Sequence, residues 1–186
     1  RGLQLQLVVY MDAAMEMLRG QHPKKEILPG GILYYHIDDP VLESDTPLSD
    51  EEAEQALLFA LRPDGLVNSG EEIYRAMDQN FEGKSQMIPV EIKKNGEIST
   101  ARSKVASTEE FAVITRYVEH EIRQCGEAIY AGNIAVNPYR SDIETSCTYC
   151  PYGSVCGMDA IIPGYEYRQF ASMKKEEVLD QMQTEL

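Results

Sequence analysis

Residues 3–19 read Leu-Gln-Leu-Gln-Leu-Val-Val-Tyr-Met-Asp-Ala-Ala-Met-Glu-Met-Leu-Arg, a run of strong helix formers with apolar side chains on nearly every face. A helix that is apolar all round is a buried helix, so this segment is expected inside the fold. After a break at residues 20–25 the sequence Ile32-Leu33-Tyr34-Tyr35-His36-Ile37 is dense in strand formers. It lies between Pro29-Gly30-Gly31 and Asp38-Asp39-Pro40, which predicts an interior strand. A buried helix followed by a strand sets the expectation of a mixed α/β fold.

Three later segments share one start signal, a serine followed three residues on by glutamate: Ser49 with Glu52, Ser69 with Glu72, and Ser107 with Glu110. In such a capping box the two side chains satisfy amides that the first helical turn leaves unpaired. The boxes predict helices over Asp50 to Leu61, Gly70 to Asp78, and Thr108 to about Ala131, the last stopped by Gly132. Between the second and third, Asn95-Gly96 predicts a tight hairpin turn within Ile88 to Ser99. Ile134-Ala135-Val136 reads as a short strand. Residues 137–167 are turn-rich, and a charged amphipathic helix over about Lys174 to Thr184 closes the chain.

The chain has 186 residues, 17 of them basic and 31 acidic, for a net charge of −14 at neutral pH. With 43% hydrophobic residues it can bury a core, which excludes global disorder. No apolar run approaches the roughly 20 residues of a membrane span. The reading is therefore a cytoplasmic protein with no membrane partner. The opening on Arg1 is expected of a piece of a longer polypeptide, and equally of a processed terminus. The acidity argues against simple polyanion binding, since phosphates are usually met by excess Lys and Arg. Basic residues nevertheless gather at Lys93, Lys94, Arg102 and Lys104.

Cys147-Thr-Tyr-Cys150-Pro-Tyr-Gly-Ser-Val-Cys156 places three thiols within ten residues on a turn-rich segment. Structural disulfides are disfavoured in the cytosol. A two-residue spacer lets the backbone bring two sulfurs to one metal, and a third thiolate can close much of the coordination sphere, as in zinc or iron–sulfur sites. A redox dithiol or plain buried cysteines are the competing readings. A fourth donor is needed. Cys125 falls in the apolar stripe Phe111, Ile114, Val118, Ile122, Cys125, Ile129 and is read as core. His36 and His120 would complete a zinc site, and a ligand outside the chain would complete either kind.

Gln6 and Tyr10 lie four residues apart and share a helix face. Buried among leucines and valines, the Gln6 amide would need a partner, structural or functional, because leaving it unpaired costs roughly 1 to 3 kcal/mol. There is no glycine-rich phosphate loop, GxSxG or HExxH. Asp38-Asp39 and Glu91-Ile-Lys93 have the residue types of a metal nuclease core, but the first reads as a strand-ending turn and the second as a hairpin surface.

Gln6-Leu7-Val8-Val9-Tyr10, in the setting Leu3 to Tyr10, resembles the QxxxY element of RecB-type nucleases in the PD-(D/E)XK superfamily, in the version carried by AddB-type subunits of bacterial AddAB helicase–nucleases. Residues 31–40 resemble the strand after that helix. Residues 132–139 resemble the approach to a cluster, and Cys147-x2-Cys150-x5-Cys156 resembles its last three cysteines. The likeness runs from Arg1 to about Asp159. It implies the C-terminal part of a restriction-endonuclease-like domain, with a buried helix on a small mixed sheet and peripheral helices. Residues 1–140 would be partial nuclease core and helical insertion, 141–160 the cysteine segment, and 161–186 a tail helix.

In that family the metal-binding Asp, the Asp-x-Lys strand and the first cluster cysteine precede the QxxxY helix. The resemblance thus implies that residues 1–186 lack the catalytic carboxylates, the catalytic lysine and one of four cluster ligands, and are inactive alone. It implies for the parent a magnesium-dependent exodeoxyribonuclease that works with an AddA-type partner on double-strand DNA ends during recombinational repair. Gln6 and Tyr10 would be auxiliary, orienting the lysine or the DNA backbone. Cys147, Cys150 and Cys156 would hold a 4Fe-4S cluster. The alternative from the residues alone is a zinc-bound structural or interaction module.

Overall fold

The computed structural model describes residues 5–35, 37, 40–44, 46–79, 81–142 and 144–186. His36, Asp38 and Asp39, candidates from the sequence, lie outside the described residues. The chain divides into two compact units, Arg1–Val118 and Glu119–Leu186.

The first unit opens with helix α1 (Gln6–Gln21), followed by strand β1 (Gly31–Tyr34). Then come α2 (Asp50–Ala60), β2 (Asp64–Asn68), α3 (Glu71–Met77) and β3 (Val105–Ala106). The strands form one mixed sheet in the order β1-β2-β3. β1 runs antiparallel to β2 with Ile32 opposite Leu66, and β2 runs parallel to β3 with Val67 opposite Val105. β1 is therefore an edge strand of the described sheet. The interior strand expected over residues 32–37 is corrected on both counts: it ends at Tyr34, its residues are half-buried to exposed, and Ile37 is exposed. With a hydrogen-bonding neighbour on one side only, a strand cannot be enclosed on both edges.

The core centres on β2 and the segment that follows α3. Val67, Tyr74, Phe81, Ile88, Val90, Ile92 and Val105 form one buried cluster, with Leu33, Met77 and Ile98 packed against it. Ile88, Val90 and Ile92 alternate as in a strand, but only isolated bridges form there, Lys84 with Glu91 and Ile92 with Ile98. The hairpin turn is present. Gly96 N–H donates to the Lys93 carbonyl (2.9 Å), Lys93 N–H to the Glu97 carbonyl (2.8 Å), and Gly96 takes φ +86°. Asn95 stays at negative φ, so the turn has Lys94 and Asn95 at its centre and glycine in the left-handed position, a three-residue loop rather than a two-residue one.

Helix α1 departs from expectation. Only Val8 is buried, whereas Tyr10 and Met17 are about 60% exposed (59% and 60%). The buried helix of the sequence reading is corrected: α1 packs against β1, and much of its apolar surface stays open. The apolar residues that suggested burial on every face are covered on only part of the helix.

Two of the three capping boxes form. Ser49 and Glu52 close the start of α2 reciprocally. At α4 (Thr108–Tyr130) Ser107 N–H donates to Glu110 Oε2 (2.7 Å) and Glu110 N–H to Ser107 Oγ (3.2 Å). The Ser69 box does not form. Gly70 is the N-cap of α3, and its N–H is taken by Asn68 Oδ1 at 2.9 Å, one residue earlier than the motif predicts.

In its first half α4 buries Phe111, Val113, Tyr117 and Val118. Its second half belongs to the second unit, where Ile122 and Ile129 of the same stripe are exposed. Gly132 ends the helix at φ +73°, with Asn133 N–H reaching the Ala128 carbonyl at 2.9 Å. No strand forms at residues 134–136. Instead β4 (Tyr139–Ser141) pairs in parallel with β5 (Arg168–Phe170), and Tyr139 stacks on Phe170 at 5.5 Å between centroids. The short α5 (Gly153–Cys156) and terminal α6 (Lys175–Thr184) complete the unit. No helix among the described residues is long and apolar enough to cross a membrane.

Candidate functional site

The sequence singles out two groups of side chains, one in each unit. On α1, Gln6 Nε2 donates to the Tyr10 hydroxyl at 2.6 Å. The four-residue spacing brings the two tips together on one face, as helical geometry requires. Both side chains are exposed, which corrects the expectation of a buried Gln6 amide. Its partner is Tyr10, and no desolvation has to be offset.

Tyr10 also borders a groove of about 440 Å³ between α1 and β1, lined by Leu7, Met11, Leu18, Ile32 and Leu33 among others. Gly31 forms part of its wall. A Cβ there would stand 2.7 Å from the Leu66 carbonyl oxygen, so the close pairing of β1 on β2 requires glycine. The site thus joins an exposed amide–phenol pair to an open apolar surface. It can orient a hydrogen-bonding group presented beside α1.

Of the other residue types of a nuclease core, Asp38 and Asp39 lie outside the described residues, and Glu91, read as surface, is half-buried. Glu91 is ion-paired with Arg102 at 2.8 Å, and Lys93 is exposed at the hairpin turn. Neither faces a carboxylate partner that would make a metal site. No three His, Cys, Asp or Glu side chains among the described residues are grouped so as to hold a metal ion. The described side chains therefore do not fit a magnesium site.

In the second unit the cysteine segment is built from turns. Cys147 N–H donates to Thr145 Oγ1 (3.2 Å), and Cys150 N–H reaches back to the Cys147 carbonyl (3.3 Å), which closes the CxxC turn. Cys156 ends α5, its N–H on the Tyr152 carbonyl at 2.8 Å, and Gly157 follows at φ +64°. Cys147 and Cys156 are half-buried, Cys150 is exposed, and none is in a disulfide. The donors fit a thiolate-bound metal in type and spacing, while the three sulfurs are not gathered on one point.

Cys125 is exposed on the second half of α4, so its assignment to the core is corrected. The stripe it belongs to is buried only up to Val118. His120 has the Gln124 amide 3.5 Å away and belongs to no metal-binding group among the described residues.

The sequence reading missed Tyr167. Its hydroxyl titrates above the ordinary tyrosine value, first because of a hydrogen bond with Cys147 and then through desolvation. Arg140 lies over its ring at 5.7 Å. Nothing in the local sequence marks it: the contact spans twenty residues and is made by the β4–β5 pairing, which carries Arg140 opposite Gln169.

Known proteins are similar to this sequence. Residues 1–157 match the model of the PD-(D/E)XK nuclease superfamily. The whole chain is 38% identical over 185 residues to the B-type subunit of an ATP-dependent helicase/deoxyribonuclease from Thermoanaerobacter sp. (strain X514), and covers 16% of that protein. Over 95% of its length it is 39% identical to the protein of the same description from Lachnoclostridium phytofermentans, again covering 16%. The likeness to the Clostridium botulinum (strain Hall) protein is 38% over 185 residues, with 16% of that protein covered. The chain thus spans about one sixth of the length of these relatives. With more than four fifths of its residues inside the matched region, the chain belongs to the PD-(D/E)XK nuclease superfamily.

Proposed function

We propose that residues 1–186 form the C-terminal part of the nuclease domain in the B-type subunit of an ATP-dependent helicase/deoxyribonuclease, which processes double-strand DNA ends for recombinational repair in the cytoplasm with an AddA-type partner. The observation that carries this reading is the Gln6–Tyr10 pair, hydrogen-bonded at 2.6 Å and exposed at the edge of an apolar groove, on a chain of this superfamily. A polar pair held at the surface is available to a group that approaches it.

In this reading Gln6 and Tyr10 are positioning residues and hold no metal. Magnesium would serve hydrolysis by polarising the scissile phosphate and acidifying a water. Its ligands would lie outside residues 1–186, as the family resemblance implies, and no suitable group occurs among the described side chains. These residues alone then cleave no DNA.

Cys147, Cys150 and Cys156 would contribute three thiolates to a 4Fe-4S cluster whose fourth ligand also lies outside the chain. Cys147 and Cys156 sit on backbone that is tied locally, by Thr145 and Tyr152, and the cluster would draw the three sulfurs onto a common centre. A cluster linking distant cysteines would close a long loop and so stabilise the domain.

The test uses two proteins. Residues 1–186 alone should leave DNA intact in magnesium. A chimera in which they replace the matching segment of the Thermoanaerobacter relative should retain deoxyribonuclease activity. Cleavage by the chain alone, or an inactive but folded chimera, overturns the reading. Anaerobic reconstitution of the chimera separates the two cysteine readings: visible charge-transfer absorption with iron and sulfide supports the cluster, and colourless stoichiometric zinc supports a closed zinc module.

A further inference from the structure

Residues 62–106 carry seven basic and seven acidic side chains, so the entire −14 excess of the chain lies outside them. Within this balanced segment the charges are unevenly used. Lys104 pairs with Asp64 at 2.6 Å and Arg102 with Glu91 at 2.8 Å. Lys84 sits 3.8 Å over the Phe59 ring. Lys93 and Lys94, at the exposed hairpin turn, make no ion pair among the described residues.

These two lysines line a cleft of about 570 Å³ together with Arg75, Glu82, Phe81 and Ile92. Three cations thus face one carboxylate in a strongly acidic chain. Arg75 is held in place from behind. Its guanidinium donates to the Phe81 carbonyl at 3.1 Å and lies over the Phe81 ring at 5.1 Å, while Glu71 stands at the 4.0 Å limit of an ion pair. Gly83 and Gly96 on the rim have φ +72° and +86°, and a Cβ at either would meet nothing within 4 Å, so backbone on both sides of the cleft is open to a ligand.

We propose that this cleft between residues 81–84 and the Lys93–Gly96 turn is a contact for the phosphate backbone of a single DNA strand, separate from the Gln6–Tyr10 site. The choice of polyanion rests on the proposed DNA-processing function. The chemistry is that of a cationic groove that follows phosphates. Phe81 is buried and offers no stacking face, so the contact reads no base and is indifferent to sequence.

The test is fluorescence anisotropy of a labelled oligo-dT strand with the 186-residue chain over a salt series. Each phosphate neutralised on a single strand contributes about 0.7 to the slope of log affinity against log salt. The double variant K93A/K94A should lose about 1.4 of that slope and bind about tenfold more weakly at low salt. K24A/K25A removes the same charge from the turn after α1 and should stay within twofold of the unsubstituted chain. If K93A/K94A and K24A/K25A behave alike while the unsubstituted chain binds, the cleft assignment falls and the DNA-processing function stands. If the unsubstituted chain binds no strand at low salt, the cleft assignment falls as well, while cleavage by the chimera tests the DNA-processing function independently. Displacement of the strand by poly-glutamate at equal charge concentration also overturns the proposal, in favour of an acidic protein partner.

Discussion

Gln6 Nε2 and the Tyr10 hydroxyl stand 2.6 Å apart on the exposed face of α1, each the other's hydrogen-bond partner. A pair in water contributes little to stability, since its groups are equally well solvated when the chain unfolds. Gln6→Ala and Tyr10→Phe should therefore each shift the urea midpoint by no more than corresponds to about 0.5 kcal/mol. A loss of several times that would mark the pair as structural.

Gly65 has a quite different role. It lies opposite Leu33 in the β1–β2 ladder at φ +149°, and a Cβ there would overlap the Ile32 carbonyl oxygen. Backbone cannot yield cheaply in a paired strand. Gly65→Ala should cost about 2 kcal/mol or more, read by chemical denaturation, and should release β1 from the sheet. An effect under about 0.5 kcal/mol would contradict the pairing of Gly65 with Leu33.

The serines before the helices provide a paired comparison. Ser107 Oγ accepts from Glu110 N–H at 3.2 Å, and Ser107→Ala should cost about 1 kcal/mol. Ser69 carries the same sequence signature without the side-chain bond, so Ser69→Ala should stay within about 0.5 kcal/mol. Equal losses at the two serines would show that α3 starts as α4 does.

Acid should weaken the β2 end of the sheet. Asp64 titrates below its ordinary value of 3.8, chiefly because its carboxylate accepts from Lys104, against a smaller opposing effect of burial. A carboxyl whose folded-state value is depressed stabilises the fold fully above its unfolded value, and loses that contribution as pH falls through the folded one. The loss thus begins below about pH 4. Both side chains are more than half exposed (61% and 52%), so solvent screening limits the contribution to under about 1 kcal/mol. Asp64→Asn should lower stability at pH 7 and flatten its decline below about pH 4. An unchanged acid limb in this variant would show that the pair does not govern the acid response.

The helices are readable because their signals are local. The starts of α2 and α4 follow from Ser49 with Glu52 and Ser107 with Glu110, and the end of α4 from Gly132. α3 begins differently because Asn68, a residue outside the motif, takes the Gly70 amide while its own amide ties Pro29 and Thr108 together at 2.8 and 3.0 Å. That linkage spans about 40 residues and leaves no local pattern. β2 and β3 escape a sequence reading for the same reason: Asp64-Gly-Leu-Val-Asn and Val105-Ala are too short to show a period, and become strands by pairing at a distance.

Burial is the least legible quantity. The apolar residues of α1 and of the second half of α4 have the composition of a core, yet Met17, Ile122 and Ile129 are exposed. Composition states what a face can bury and is silent on what meets it. At the candidate site the Gln6–Tyr10 spacing and the three-cysteine spacing are visible in the sequence. Tyr167 beside Cys147 is not, since parallel pairing of β4 with β5 brings it there.

In the proposed function Gln6 and Tyr10 supply orientation at a hydrolytic centre. The most direct measurement is magnesium-dependent cleavage of a linear duplex by the chimera with the Thermoanaerobacter relative, with Gln6→Ala and Tyr10→Phe introduced together and stability followed in parallel. The expected result is a fall in cleavage of at least about tenfold, equal to about 1.4 kcal/mol in the barrier, with an unchanged unfolding midpoint. Cleavage at the unsubstituted rate by the folded double variant would contradict that role.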